Sequence, residues 1–148
     1  MKRALKVVSG GAAAIVALTV MSTGTAQAAQ SCDYAVATGK YSCSGPSQVK
    51  GPRDVIGAKV FDGGDYGGDA LTFWLPKPCV KDGKMDYMIK LGSAMSKKIS
   101  SVEGWGGQKN GCWVWLYFED GSREGPFQGN VPDVGTSANN RAVQVGLS

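Results

Sequence analysis

Few residues in this 148-residue chain can do chemistry, and the first fact about them is an absence: the sequence contains no histidine. Without imidazole no Ser-His-Asp or Cys-His relay and no histidine-ligated metal centre can be assembled. Carboxylates gather in two places, Asp62 with Asp65 and Asp69, and Glu119 with Asp120. A carboxylate pair can divide the acid and base roles of glycoside hydrolysis. Both groups, however, sit in turn-forming sequence, where Asp and Glu ordinarily face water. No Gly-x-Ser-x-Gly elbow, phosphate loop or metal-ligand spacing occurs. The chain is expected to bind rather than catalyse.

The four cysteines, Cys32, Cys43, Cys79 and Cys112, are the remaining reactive groups. Their even number on an exported chain predicts two disulfides made in an oxidising compartment. Three pairings are open. Cys32–Cys43 with Cys79–Cys112 is favoured, because the first closes a short N-terminal loop and the second ties two predicted strands. An unstrained bridge contributes about 2–4 kcal/mol. A four-thiolate zinc site would want a Cys-x-x-Cys pair, which is missing.

Export itself is read from residues 1–28. Lys2, Arg3 and Lys6 precede an apolar run from Val7 to Val20, and Ala26-Gln27-Ala28 supplies a small-x-small cleavage site. The run is shorter than the roughly 20 residues of a membrane span and is broken by Ser9, Gly10 and Gly11. Residues 1–28 are therefore expected to be a secretory signal and the protein extracellular, not an integral membrane protein. The signal holds three of the 16 basic residues and none of the 12 acids, so 13 basic residues remain against 12 acidic ones. That near-neutral balance gives no reason to expect nucleic acid or an anionic membrane as a partner.

Residues 29–53 are polar and rich in Ser and Gly, an N-terminal arm pinned by its own disulfide. From 54 to 148 short strand candidates alternate with glycine clusters, and 19 of the 120 residues after the signal are glycine, against an average near 7%. Strands are expected at Ile56–Phe61, Ala70–Leu75, Met85–Lys90, Ile99–Val102, Cys112–Phe118, Phe127, Val131 and Ala142–Val145. No stretch carries a 3.6-residue apolar period, and only a turn around Leu91–Lys97 has any helical character. The fold class is all-β, a sandwich.

Phe61-Asp62-Gly63-Gly64-Asp65-Tyr66-Gly67-Gly68 has the aromatic-x4-aromatic-x-Gly pattern of a βγ-crystallin Greek key. Lys98-Ile99-Ser100-Ser101-Val102 resembles the later serine motif of that superfamily. Cys112-x-Val114-x-Leu116-Tyr117 looks like the first strand of a second key, Phe127-Gln128-Gly129 like its aromatic-x-Gly corner, and Asn139-Asn140-Arg141-Ala142-Val143-Gln144 like its calcium loop. The resemblance spans roughly residues 54–148 and implies a double Greek-key sandwich in which each key lends one strand to the other sheet. Pro76–Lys84, with Cys79, and Ser122–Gly125 read as insertions relative to that pattern.

The same resemblance implies at most one weak calcium site, made of Asn139 and Asn140 from one loop and Ser100 from the other. Its counterpart would combine Ser96 and Lys97 with Val143 and should be dead, since an ammonium and an isopropyl group replace oxygen ligands. Neutral amides near Lys97 and Lys98 imply affinity around 10⁻⁴–10⁻³ M or weaker.

Binding surfaces are read in two places. Period two puts Trp113, Trp115 and Tyr117 on one face of their strand, opposite Val114 and Leu116. That face is either free, with Trp74 and Trp105 as candidates to extend it, or covered by the arm. Pro76-Lys77-Pro78-Cys79-Val80 forms a loop whose prolines and disulfide limit its freedom. Exported bacterial relatives by resemblance include small metalloproteinase inhibitors and killer-toxin-like proteins. The expected function is a monomeric, non-enzymatic proteinase inhibitor with an extracellular protease as partner. The alternatives are a killer-toxin-like protein acting on cell-envelope components or a calcium-tuned structural protein.

Overall fold

A computed structural model describes residues 28–104 and 111–148. The expected signal, apart from Ala28, and Trp105 therefore lie outside the described residues. Ten strands follow one another: β1 Ser31–Ala35, β2 Lys40–Ser42, β3 Val55–Phe61, β4 Ala70–Leu75, β5 Tyr87–Lys90, β6 Ser101–Glu103, β7 Val114–Tyr117, β8 Arg123–Phe127, β9 Asn130–Val131 and β10 Gln144–Leu147. A 3₁₀ turn at Pro46–Gln48 is the helical content of the described residues. Leu91–Lys97 is a turn, closed by Met95 and Ser96 amides donating to the Gly92 carbonyl.

The strands form two sheets, β2-β1-β4-β3-β6-β9 and β5-β10-β7-β8. β3 to β6 make up the first key and β7 to β10 the second. β5 leaves its own key to pair with β10 (Val145 opposite Ile89), and β9 crosses the other way to pair with β6 (Val102 opposite Val131). The fold is thus a βγ-crystallin-like double Greek key with exchanged strands. Period-two alternation sends one face of each strand inward. Val60, Phe73, Ile99, Val102, Val114, Leu116, Val145 and Leu147 are wholly buried between the sheets. Full burial of such a side chain contributes about 1.5–3 kcal/mol.

Both disulfides form, Cys32–Cys43 and Cys79–Cys112, with sequence separations of 11 and 33. The second lies against β3 at a bulge between Ile56 and Ala58. There a Cβ on Gly57 would strike the Leu75 side chain and come within 3.3 Å of Cys112 Sγ, so the strand passes this close only without a side chain.

The arm is more than a pinned appendage. β1 runs parallel to β4, from Ser31 opposite Ala70 to Ala35 opposite Trp74, and extends the first sheet. Cys32, Asp33 and Ala35 are buried there, and Trp74 Nε1 donates to Asp33 Oδ1 at 2.7 Å. Further along the arm, the Lys50 ammonium lies 5.1 Å from the centre of the Trp74 ring. This segment therefore reaches the first sheet and its Trp74, whereas Trp113 and Trp115 belong to the second.

Candidate functional site

The first hairpin fold is built from side chains with defined tasks. Phe61 and Tyr66 meet edge to face at 5.7 Å between ring centres, an arrangement favoured by the ring quadrupoles. Gly68 has φ +74, and a Cβ there would run into the Asp62 carboxylate. Ser101, fully buried, closes the hairpin by donating to the Gly63 carbonyl at 2.6 Å and accepting the Tyr66 amide at 3.1 Å. The nearby acids are structural as well. Asp62 accepts the Asp69 amide and Asp69 accepts the Gln30 amide, so both carboxylates tie backbone in place.

The second key departs from this plan, and the reading of Phe127 and Gly129 as its corner is corrected. Phe127 sits at the far end of β8, opposite Val114, while the bend joins Tyr117 to Arg123 directly across β7 and β8. The segment Ser122–Gly125 runs into that strand instead of forming an insertion. The shorter bend is closed by Phe118 donating to the Ser122 carbonyl, and Asp120 accepts both the Ser122 amide and hydroxyl. These Ser122 hydrogen bonds, side chain first, hold the Asp120 carboxyl below its usual pKa, with Arg141 adding a smaller push.

Ser100 is the centre of the cross-key cluster. Its hydroxyl lies 2.6 Å from Asn139 Oδ1, 2.9 Å from the Asp62 carbonyl, 3.3 Å from the Lys98 carbonyl and 3.4 Å from Asn140 Oδ1. One hydroxyl proton can serve only one of these acceptors at a time. An excess of neutral oxygens around a partly buried point is the donor set that a hard cation such as calcium takes. The sequence pattern brought Ser100, Asn139 and Asn140 together; the two carbonyls come from backbone geometry that residue types do not disclose. Among the described residues no group of three or more His, Cys, Asp or Glu is placed to hold a metal ion.

The companion position is related by an approximate two-fold. Lys97 (φ 59) donates its amide to the Ala142 carbonyl as Asn140 (φ 57) donates to that of Ile99. At this second position the Lys97 ammonium pairs with Glu119 at 2.7 Å. A tethered cation stands beside the carboxylate, and Val143 supplies no side-chain oxygen.

Of the surfaces, the Trp113, Trp115 and Tyr117 row is half-buried rather than open. The Arg123 guanidinium stacks 4.3 Å from the Trp115 ring and donates to the Tyr117 hydroxyl at 2.9 Å, while Trp115 Nε1 donates to Ser148 Oγ. The loop from Pro76 to Val80 is presented differently. Pro76, Lys77 and Pro78 are exposed, Cys79 is anchored at 8% exposure, and Val80 stands out at 68%. Two clasps fix the backbone. Asp86 Oδ2 accepts the Val80 amide at 2.9 Å, and the Tyr87 hydroxyl donates to the Lys77 carbonyl at 3.1 Å. Partial burial, helped by neighbouring Asp86, raises the Tyr87 pKa above its ordinary 10.0. Asp86 and Tyr87 were invisible as clasps in the sequence, where they read only as the start of a strand.

No protein-family model and no curated protein matches the chain. Two solved structures resemble it, a βγ-crystallin domain from Clostridium beijerinckii and a tryptophan-to-aspartate variant of that domain. Each is 16% identical, with a TM-score of 0.43, covering 62% of this chain and 95% of the other. The fold assignment itself stands on the exchanged strands and the Ser101 clasp of this chain.

Proposed function

We propose that the protein is a secreted, non-catalytic inhibitor of extracellular proteinases that acts through the Pro76–Val80 loop. The observation that supports this most is the contrast within that loop. An exposed apolar side chain, Val80, follows a disulfide-anchored cysteine, and the backbone on both sides is held by Asp86 and Tyr87. A segment already fixed in an exposed form loses little conformational freedom on docking into a cleft, which is what favours inhibition over hydrolysis. Two disulfides are consistent with an oxidising, extracellular setting. Among the described residues no helix is long and apolar enough to cross a membrane. The test is a panel of purified proteinases, thermolysin-type enzymes first, titrated with the protein. Stoichiometric loss of activity supports the reading. Full activity throughout, or rapid cleavage at Val80, defeats it.

A second property has its own support in the oxygens around Ser100. We infer weak calcium binding there, with Ser100 Oγ, Asn139 Oδ1, Asn140 Oδ1 and the carbonyls of Asp62 and Lys98 as the ligand set. Calcium would bridge the two keys and act as a structural brace. Titration calorimetry at millimolar calcium tests it, and absence of both heat and a melting shift would remove it.

A further inference from the structure

A groove of about 390 Å³ opens between the β1–β2 hairpin and the turn that follows β5. Its floor is apolar: Leu71, Ile89, Leu91 and Met95 are each no more than 6% exposed. Tyr34 and Tyr41 form one wall, and the turn with Ala94 forms the other. Tyr34 is braced from behind by Phe73, edge to face at 6.3 Å, whereas Tyr41 is left 49% exposed. The wall with the two tyrosines belongs to the hairpin closed by Cys32–Cys43, an addition that the two-key core does not need in order to close.

Charge is distributed one-sidedly. Among the described residues, Lys90 is the sole charged side chain lining this groove, and it is exposed. A separate, smaller pocket shares Tyr41, Leu71, Ala94 and Met95 with the groove and is lined also by Asp69, whose carboxylate is already engaged by the Gln30 amide. An apolar trough with one cation complements a ligand with one apolar body and one negative head. The volume exceeds the roughly 150 Å³ that holds a single benzene ring and falls in the lower part of the small-molecule range. We propose that this groove binds a free medium-chain carboxylate, its chain lying on Leu71, Ile89, Leu91 and Met95 and its head group at Lys90.

Titration calorimetry with sodium decanoate, kept below its micellar range, tests this directly. Decanol and decyltrimethylammonium, of matching chain length, serve as charge controls. One-to-one saturable binding is expected, with decanoate tighter than decanol and decanol tighter than the ammonium. Lys90→Glu should weaken decanoate about fivefold, the upper end for one exposed charge contact, and leave decanol within about twofold. Ala94→Trp, at an exposed position, should fill the trough and abolish binding of both while the melting temperature holds. The proposal is overturned if decanoate shows no saturable binding or the ammonium binds equally well. It also falls if a folded Ala94→Trp variant binds as the parent does, or if Lys90→Glu leaves the affinity for decanoate unchanged. Protease inhibition is untouched by any of these results, since Val80 lies outside the groove lining.

Discussion

The Tyr87 hydroxyl donates to the Lys77 carbonyl at 3.1 Å, so a residue at the start of β5 holds the loop that leads away from β4. Only the protonated phenol can make this bond. Because burial and Asp86 raise the folded-state pKa above 10.0, the contribution is complete below the unfolded pKa and fades as pH climbs through the folded one. Ultraviolet titration should show a tyrosine ionising above the ordinary 10.0, and Tyr87→Phe should erase that step. The variant should lose about 0.5–1 kcal/mol at neutral pH, the lower end for a hydrogen bond at an exposed site.

Val80 should carry inhibition without carrying stability. Val80→Asp is expected to abolish inhibition of a susceptible proteinase while unfolding stays within about 0.5 kcal/mol of the parent, as for most exposed positions. Inhibition constants and a thermal melt measured together check this, and an unaltered inhibition constant would move the binding surface elsewhere.

The Ser100 cluster predicts a calcium effect that one hydroxyl controls. At calcium tenfold above its Kd, the parent should gain about 1.4 kcal/mol. Ser100→Ala should show no such gain, and chelator should leave its melting temperature unchanged. The double substitution Lys97→Asn with Val143→Ser should add a second binding event in calorimetry, because it removes the tethered ammonium and restores an oxygen.

Ser101→Ala removes the donor to Gly63 and the acceptor for Tyr66 at a position with no exposure. Leaving those backbone groups unpaired should cost about 1–3 kcal/mol. Chemical denaturation of the variant measures it, and Ser101→Thr should recover part of the loss.

How far these features could be read in advance depended on whether their cause was local. The hairpin from Phe61 to Gly68 was legible because its aromatics and glycine stand within eight residues of one another, and β3, β4 and β7 were legible from short apolar runs bounded by turn residues. β1 was not. Its sequence, Ser-Cys-Asp-Tyr-Ala, reads as polar, and its partner β4 lies in parallel 39 residues away at Ser31 and Ala70. Phe127 was misplaced because an aromatic followed by glycine is an ambiguous cue until the pairing of β7 with β8 fixes which residues face the bend. The tryptophan row was correctly assigned a common face, but the guanidinium that stacks on it comes from Arg123, a cross-strand neighbour that periodicity within one strand cannot reveal. In the Ser100 cluster the side chains were readable and the Asp62 and Lys98 carbonyls were not, since every residue has a carbonyl and only the folded path aims it.

The trade of β5 for β9 leaves each half of the molecule unfinished by itself. Severing the peptide chain between Glu103 and Cys112 would yield two fragments, each with an edge that only the other can zip shut. Neither piece should hold shape alone, yet mixed in equal amounts, with the Cys79–Cys112 bridge allowed to re-form across the cut, they should knit into one body.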